Sequence, residues 1–197
     1  SFGLMDLLKM LDNRKFPRSE RFKVLGLVNE PGFRAASKPD EFGLWLDEEA
    51  EPEPPGIDPT VYGKPSGVLG FRLFPNPDFK EEARKKWNGD RFINDAAYYN
   101  DTSLIRPYRV GVACGSCHIA PNPSNPPLDP ENPRWENLAS AIGNQYINEG
   151  KVFACNVEKG GFFYEMLLTQ PRGTSDTSRI ATDHINNPNA INPIFLL

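Results

Sequence analysis

Proline and glycine recur so often in this sequence that little room is left for long helices or strands. The chain of 197 residues contains 20 prolines and 16 glycines. Each proline fixes φ and removes a backbone hydrogen-bond donor, so it ends helices and is excluded from central strands. Residues 121–133 alone hold six prolines, three of them in Asn-Pro pairs. We therefore expect short elements joined by long loops, and a loop over 121–133.

Length and charge limit the classes of function. The length predicts a single domain over 1–197 rather than two. With 22 basic and 26 acidic residues, the chain has no excess of positive charge for gripping phosphates, and we expect no nucleic-acid partner. No apolar stretch reaches the roughly 18 to 20 residues of a membrane helix, and the first residues do not follow the order of a signal peptide. We expect a soluble chain whose export signal, if any, lies outside this sequence.

Four segments predict short helices. In 3–12, the residues Leu4, Leu7, Leu8 and Leu11 share one helical face, with Met10 as a core filler beside it. In 78–87, Asp78 and Glu81 have the spacing of a capping box. Two further apolar faces predict core helices. They are Leu138, Ile142 and Tyr146 in 136–147, and Phe162, Phe163, Met166 and Leu167 in 160–171.

Two other segments read as extended chain. Residues 46–67, "LDEEAEPEPPGIDPTVYGKPSG", are acidic and proline-rich, which predicts an exposed excursion rather than a domain boundary. Residues 67–79, "GVLGFRLFPNPDF", mix apolar and turn residues and predict a strand or an extended packed segment.

The pentapeptide Cys114-Gly115-Ser116-Cys117-His118 carries the strongest chemical signal. If it begins a helix, the second sulfur lies about one turn from the first, and His118 lies at i+4 from Cys114. All three side chains can then reach one flat macrocycle. Two thioether bonds would hold a haem through its vinyl groups, while the His118 imidazole supplies the proximal iron ligand. The spacing predicts a covalently attached haem c.

Two alternatives to haem remain open on the pentapeptide alone. A zinc site needs about four ligands, and only Cys155 and His184 remain among the cysteines and histidines to complete one. A thioredoxin-like redox pair needs a βαβ context, and the proline-rich sequence after the motif lacks the long helix that should follow.

The sixth coordination position of the iron decides between two functions. A strong ligand there favours electron transfer, whereas an open position permits oxygen or peroxide chemistry. The candidates for the sixth ligand are His184 and Met166. His118 and His184 together are the predicted iron ligands. The alternatives are that His184 is a surface or structural residue and that the position is open.

Four more residues receive hypotheses of their own. Arg106 and Arg109 precede the motif and could bind the haem propionates, although surface positions explain them equally well. Trp135 could pack against the haem edge or in the core. Cys155 is the odd cysteine, for which we expect burial as a thiol or pairing with another chain.

A family resemblance extends beyond the pentapeptide. From about residue 22 onward, the chain resembles the N-terminal haem portion of the secreted di-haem rubber oxygenases, which are related to the bacterial di-haem cytochrome c peroxidases. The segments that carry the resemblance are "GLVNEPGF", "GVLGFRLFPNPDF", "YYNDTSLIRPYRVGVACGSCHIAPNPSNPP", "NPRWENLASAIGNQY" and "DTSRIATDHINNPNAINPIF".

The resemblance implies a mainly α-helical, cytochrome c-like haem core with long irregular loops, in a periplasmic or extracellular protein. Members of the family carry a second haem motif, and this sequence contains no second Cys-x-x-Cys-His and stops at "NPIFLL". We therefore expect a fragment or a shortened relative.

The expected function is one-electron transfer through a single haem, with a redox protein or further haem subunits as partner. The alternatives are a haem-dependent oxygen- or peroxide-activating enzyme, or a fragment of one, and a subunit of a larger cytochrome assembly or oligomer.

Overall fold

The computed structural model of the protein describes residues 7–50, 58–154, 157–169 and 172–173. Its helices are α1 Leu7–Leu11, α2 Arg21–Leu25, α3 Pro59–Tyr62, α4 Glu81–Lys86, α5 Gly89–Asn94, α6 Ala96–Tyr99, α7 Gly115–His118, α8 Glu149–Ala154 and α9 Phe162–Leu168, with 3₁₀ turns at Arg18–Glu20 and Trp135–Asn137. Its strands are β1 Phe33–Arg34, β2 Glu48–Glu49, β3 Lys64–Pro65, β4 Phe71–Pro75, β5 Tyr108–Val112, β6 Ile119–Pro121 and β7 Leu138–Ser140.

The architecture is mixed α/β, so the prediction of a mainly α, cytochrome c-like fold is wrong. Among the described residues, 34% are helical and 15% lie in strands, with three small antiparallel sheets. Strands β1 and β2 form one sheet, β3, β4 and β5 the second, and β6 and β7 the third. The longest described helix, α9, has seven residues. Frequent proline and glycine keep helices this short, and the extended segments between them satisfy their backbone groups by pairing as strands.

The three-stranded sheet of β3, β4 and β5 is called the central sheet. The main core forms where α1 packs beside it. Leu7, Leu8 and Leu11 of α1 are buried, which confirms the predicted apolar face, and Leu4 lies outside the described residues. Met10 is also buried in this core, as predicted for a filler of irregular gaps. The cluster is completed by apolar side chains from the loops, the sheet and helices α2, α5 and α6: Leu25, Leu27, Leu44, Leu46, Val68, Phe71, Leu73, Phe92, Ile93, Tyr99 and Ile147.

Segments 67–79 and 78–87 form the expected kinds of element. Strand β4 lies within the first and pairs with β5 in the register Phe71 to Val112. Helix α4 lies within the second, but it begins after Lys80 without a side-chain cap, so the predicted capping box is wrong. The reason is that the carboxylate of Asp78 binds the Arg109 guanidinium at 2.5 Å instead of the helix.

Segments 136–147 and 160–171 depart from the prediction in different ways. The first is not a core helix, because its residues 138–140 form β7 and pair with β6. The second does form a helix, α9, but its predicted core face is only partly right. Leu167 is buried, whereas Phe162 and Phe163 are 76% and 55% exposed.

The acidic segment 46–67 is exposed in only part of its length. Leu46, Asp47, Ser66 and Gly67 are buried, while most of the residues in 58–62 are exposed. Residues 51–57 lie outside the described part of the chain. Across the described residues, none of the helices combines the length and the apolar composition that crossing a membrane requires.

A buried ionic network joins the start of the chain to this acidic segment. Arg18 and Arg21 each place a guanidinium nitrogen 2.7 Å from the same carboxylate oxygen of Asp47. Asn29 accepts a hydrogen bond from Arg21 at 2.7 Å. Glu131 accepts bonds from the backbone N–H groups of Phe22 and Lys23 at 2.8 and 2.9 Å. The network therefore ties the proline-rich loop to the first turn of α2.

Candidate haem-attachment site

The cysteine motif directly follows the last strand of the central sheet, which fixes its position. Strand β5 ends at Val112, and the next backbone N–H, that of Ala113, donates to the Gly70 carbonyl at 2.8 Å. Cys114 therefore emerges where the last strand of a three-stranded sheet stops. Because β5 is paired along its whole length with β4, the start of the motif is held by the sheet rather than by a free loop.

The motif itself forms one helical turn. The backbone N–H groups of Cys117 and His118 both donate to the Cys114 carbonyl, at 3.1 and 2.9 Å. The buried Ser116 hydroxyl donates to the Ala113 carbonyl at 2.9 Å and fixes the first residue of the turn. Cys114, Cys117 and His118 thus belong to a single turn of helix, the conformation that the haem hypothesis requires.

The two thiols have different surroundings. Cys114 is exposed, whereas Cys117 is half-buried and packs against the main core. Burial raises the pKa of the Cys117 thiol, with the nearby Ser116 hydroxyl opposing the effect and the Glu149 carboxylate adding to it. The Cys117 side chain therefore remains a protonated thiol at neutral pH, while Cys114 is the more accessible of the two sulfurs.

The residues after the motif hold its carboxyl end. The Ala141 N–H donates to the His118 carbonyl at 2.8 Å, and the Asn144 N–H donates to the Cys117 carbonyl at 2.6 Å. Asn144 is fully buried and its side chain donates to the Gly26 carbonyl at 3.0 Å. Segment 136–147, which the sequence predicts as a helix, therefore binds the carboxyl end of the motif through its backbone.

Gly70 is the positioning residue that the sequence analysis missed. Its φ is +80°, and a Cβ atom placed on it would lie 2.2 Å from the Ser116 backbone nitrogen. Only glycine combines this left-handed conformation with such a close approach of two backbones. The signal available in the sequence is a second glycine three residues after Gly67 inside an apolar run, which is typical of a close backbone approach.

The substitution Gly70→Ala tests this contact. We expect it to lower the free energy of unfolding by more than about 3 kcal/mol, because the left-handed conformation alone costs about 1 to 3 kcal/mol and the contact with Ser116 adds to it. The matched control is Gly32→Ala, since Gly32 has φ +86° and no atom within 4 Å of the added Cβ. Urea unfolding compares the stabilities, and the haem-to-protein ratio reports the attachment turn. Equal losses in the two variants would contradict a role for the contact.

The residues of this turn fit a covalently bound haem. Two thiols and one imidazole are the donor set that a haem c needs, and they share one helical turn. Two apolar residues lie next to the motif or to a residue bonded to it. Val112 lies two residues before Cys114, and Ile142 follows Ala141, whose N–H donates to the His118 carbonyl. Val112 and Ile142 are 54% and 55% exposed. A flat apolar ring held at the turn would cover surface of this kind.

The geometry bears on the thioredoxin-like alternative to haem. Helix α7 has four residues and strand β6 follows it directly, so the long helix of a thioredoxin-like site does not follow the cysteines. Within residues 7–50, 58–154, 157–169 and 172–173, no group of three or more histidine, cysteine or acidic side chains is arranged to hold a metal ion. Cys155 and His184, which the zinc alternative requires, lie outside these ranges.

The other residues singled out from the sequence lie in varied surroundings. The Arg106 guanidinium lies 5.6 Å from the ring centroids of Phe92 and Tyr99. Arg109 is exposed and is engaged by Asp78. Binding of haem propionates by either arginine stays a prediction.

Trp135 and Met166 occupy two other parts of the surface. Trp135 is 58% exposed, so core packing does not explain it. Met166 is half-buried on α9. The hypotheses for Cys155 and His184 fall outside the described residues.

Comparison with known proteins adds no relative. No protein-family profile, no curated protein and no solved structure matches the chain. The resemblance to the di-haem rubber oxygenases and peroxidases therefore stays a prediction from the quoted segments.

Proposed function

We propose that the protein is a c-type cytochrome that carries one covalently attached haem and transfers single electrons. The observation that carries the proposal is the helical turn at the end of β5, which brings Cys114, Cys117 and His118 together with one sulfur exposed. A bound haem would supply an iron that alternates between the ferric and ferrous states.

The residues of the turn have distinct roles in holding the group. The thiols of Cys114 and Cys117 would each add across one vinyl group, so that sulfur bonds to one vinyl carbon, the thiol proton goes to the other, and nothing leaves. The His118 imidazole would donate a nitrogen lone pair to the iron. The backbone bonds from Ala141 and Asn144 would keep the turn from shifting when the iron changes its charge.

The contacts around the turn would hold the haem ligands in fixed positions. The sheet holds the start of the motif, Gly70 packs against its middle, and a buried asparagine holds the segment bound to its end. A rigid ligand environment keeps reorganisation small, which suits one-electron transfer. The proposal includes a periplasmic or extracellular location and a redox protein or further haem subunits as partner.

The second candidate is a haem-dependent enzyme that activates oxygen or peroxide, or a fragment of one. It requires an open sixth position on the iron, and Met10, which is fully enclosed in the main core, is no candidate ligand for that position. The remaining described methionine, Met166, is half-buried on α9. The sixth iron ligand therefore decides between the two functions, and His184 is our first candidate for it.

Carbon monoxide distinguishes the two functions. We expect the ferric protein to be low-spin, and the reduced protein to bind carbon monoxide slowly or not at all, because His184 would occupy the sixth position. The variant His184→Ala should bind carbon monoxide rapidly. Met166→Leu is the control variant and should behave as the unmodified protein does. The measurement is the absorption spectrum of the reduced protein before and after the gas is added.

The opposite result has a clear meaning. Rapid carbon monoxide binding by the unmodified protein, unchanged in His184→Ala, would exclude ligation by His184. Electron transfer would then give way to oxygen or peroxide activation at an open iron.

A further inference from the structure

A second feature of the molecule is a groove formed by α8, α9 and the segment that leads to α2. Its volume is about 310 Å³, which falls at the lower end of the range for small-molecule sites. It is lined by residues from three parts of the chain: Lys15, Phe16, Val24, Lys151, Ala154, Val157, Lys159, Tyr164 and Leu168. None of these residues belongs to the haem-attachment turn.

Three of the lining residues are lysines, and their ammonium groups have no ion-pair partner among the residues that the structure describes. Lys15, Lys151 and Lys159 are all exposed. Across the described residues, none of their ammonium groups forms an ion pair or a side-chain hydrogen bond. The whole chain has a net charge of −4, so three lysines around one groove gather positive charge on a molecule of negative net charge.

The rest of the groove is apolar. Phe16 and Val24 are half-buried along one side, and Ala154 is buried. Tyr164 is half-buried, and its hydroxyl forms no hydrogen bond to any other residue that the structure describes. The groove therefore combines an apolar surface, a hydroxyl group and a cationic rim.

We propose that this groove binds a small amphipathic carboxylate, with its hydrocarbon part on Phe16 and Val24 and its carboxylate facing Lys151 and Lys159. Burial of the hydrocarbon supplies affinity, because it removes apolar surface from water. The ammonium groups of the two lysines supply the preference for an anion. The proposal does not depend on the haem, because it uses no residue of the attachment turn.

Titration calorimetry with sodium octanoate and with octanol tests the proposal on the unmodified protein. We expect octanoate to bind and octanol to bind at least about tenfold more weakly, a difference of about 1.4 kcal/mol. The double variant Lys151→Gln with Lys159→Gln should weaken octanoate binding by a similar factor. The matched control is Lys38→Gln with Lys80→Gln, which removes the same charge from exposed lysines that do not line the groove.

Three results would overturn the proposal. They are no binding of octanoate by the unmodified protein, equal binding of octanoate and octanol, and equal weakening in the two double variants. The last would show that net charge, rather than the lysines of the groove, attracts the anion.

Discussion

Replacing Cys114 and Cys117 together by alanine is expected to yield protein that retains no covalently bound haem. Both sulfurs lie on the turn after β5, and no other pair of cysteines in the sequence has this spacing. With both thiols absent, the turn has no sulfur left to add to a vinyl group, and His118 alone would hold the haem only as a dissociable ligand. The measurement is the pyridine haemochrome spectrum of the protein after acid-acetone treatment.

The third cysteine provides the matched control. Cys155→Ala removes one thiol and leaves the motif intact, so its haem content should equal that of the unmodified protein. The single variants Cys114→Ala and Cys117→Ala should each retain one thioether. If the double variant kept its covalent haem, or if Cys155→Ala lost it, the assignment of the attachment residues would be wrong.

The second large effect is expected at Asp47, which does not belong to the haem-attachment turn. Its carboxylate is the shared partner of the Arg18 and Arg21 guanidinium groups, and all three side chains are nearly inaccessible to solvent. Asp47→Asn keeps the size of the side chain and leaves two buried cations without their counter-charge. Breaking a buried pair in this way costs about 3 to 5 kcal/mol, so we expect a large fall in the urea midpoint.

An exposed ion pair provides the control for Asp47. Glu41 binds Arg84 at 2.9 Å, and both side chains are more than half exposed. Such a pair contributes little to stability, so Glu41→Gln should leave the urea midpoint almost unchanged. Similar midpoints for Asp47→Asn and the unmodified protein would show that the buried network is not a major source of stability.

Elements with local signals could be predicted from the sequence. The spacing of Leu7, Leu8 and Leu11 predicts α1 because one helical face carries all three. The run before Pro75 predicts a strand, and β4 lies there. The cysteine spacing places Cys114, Cys117 and His118 within one turn if the motif begins a helix, and α7 is that helix.

Features that depend on distant partners could not be predicted in this way. Segment 136–147 has helical spacing, yet its residues 138–140 pair with β6, and this pairing overrides the local preference. Asp47 lies in an acidic stretch that reads as exposed, and its burial depends on two arginines more than 25 residues away. Gly70 likewise gains its role only through contact with Ser116.

The exposed aromatic pair on α9 shows a related limit. Phe162 and Phe163 fall on the apolar face that the spacing defines, but this short helix turns their rings towards solvent, with centroids 5.6 Å apart. Helical periodicity says which residues share a face, and it does not say whether another element covers that face.

The mass of the intact denatured polypeptide tests the central claim most directly. The unmodified protein, produced with haem and then unfolded in acid, should have the mass of the chain plus one haem, because two thioether bonds survive denaturation. The bare mass of the chain, with all haem recovered in the extract, would contradict covalent attachment at Cys114 and Cys117.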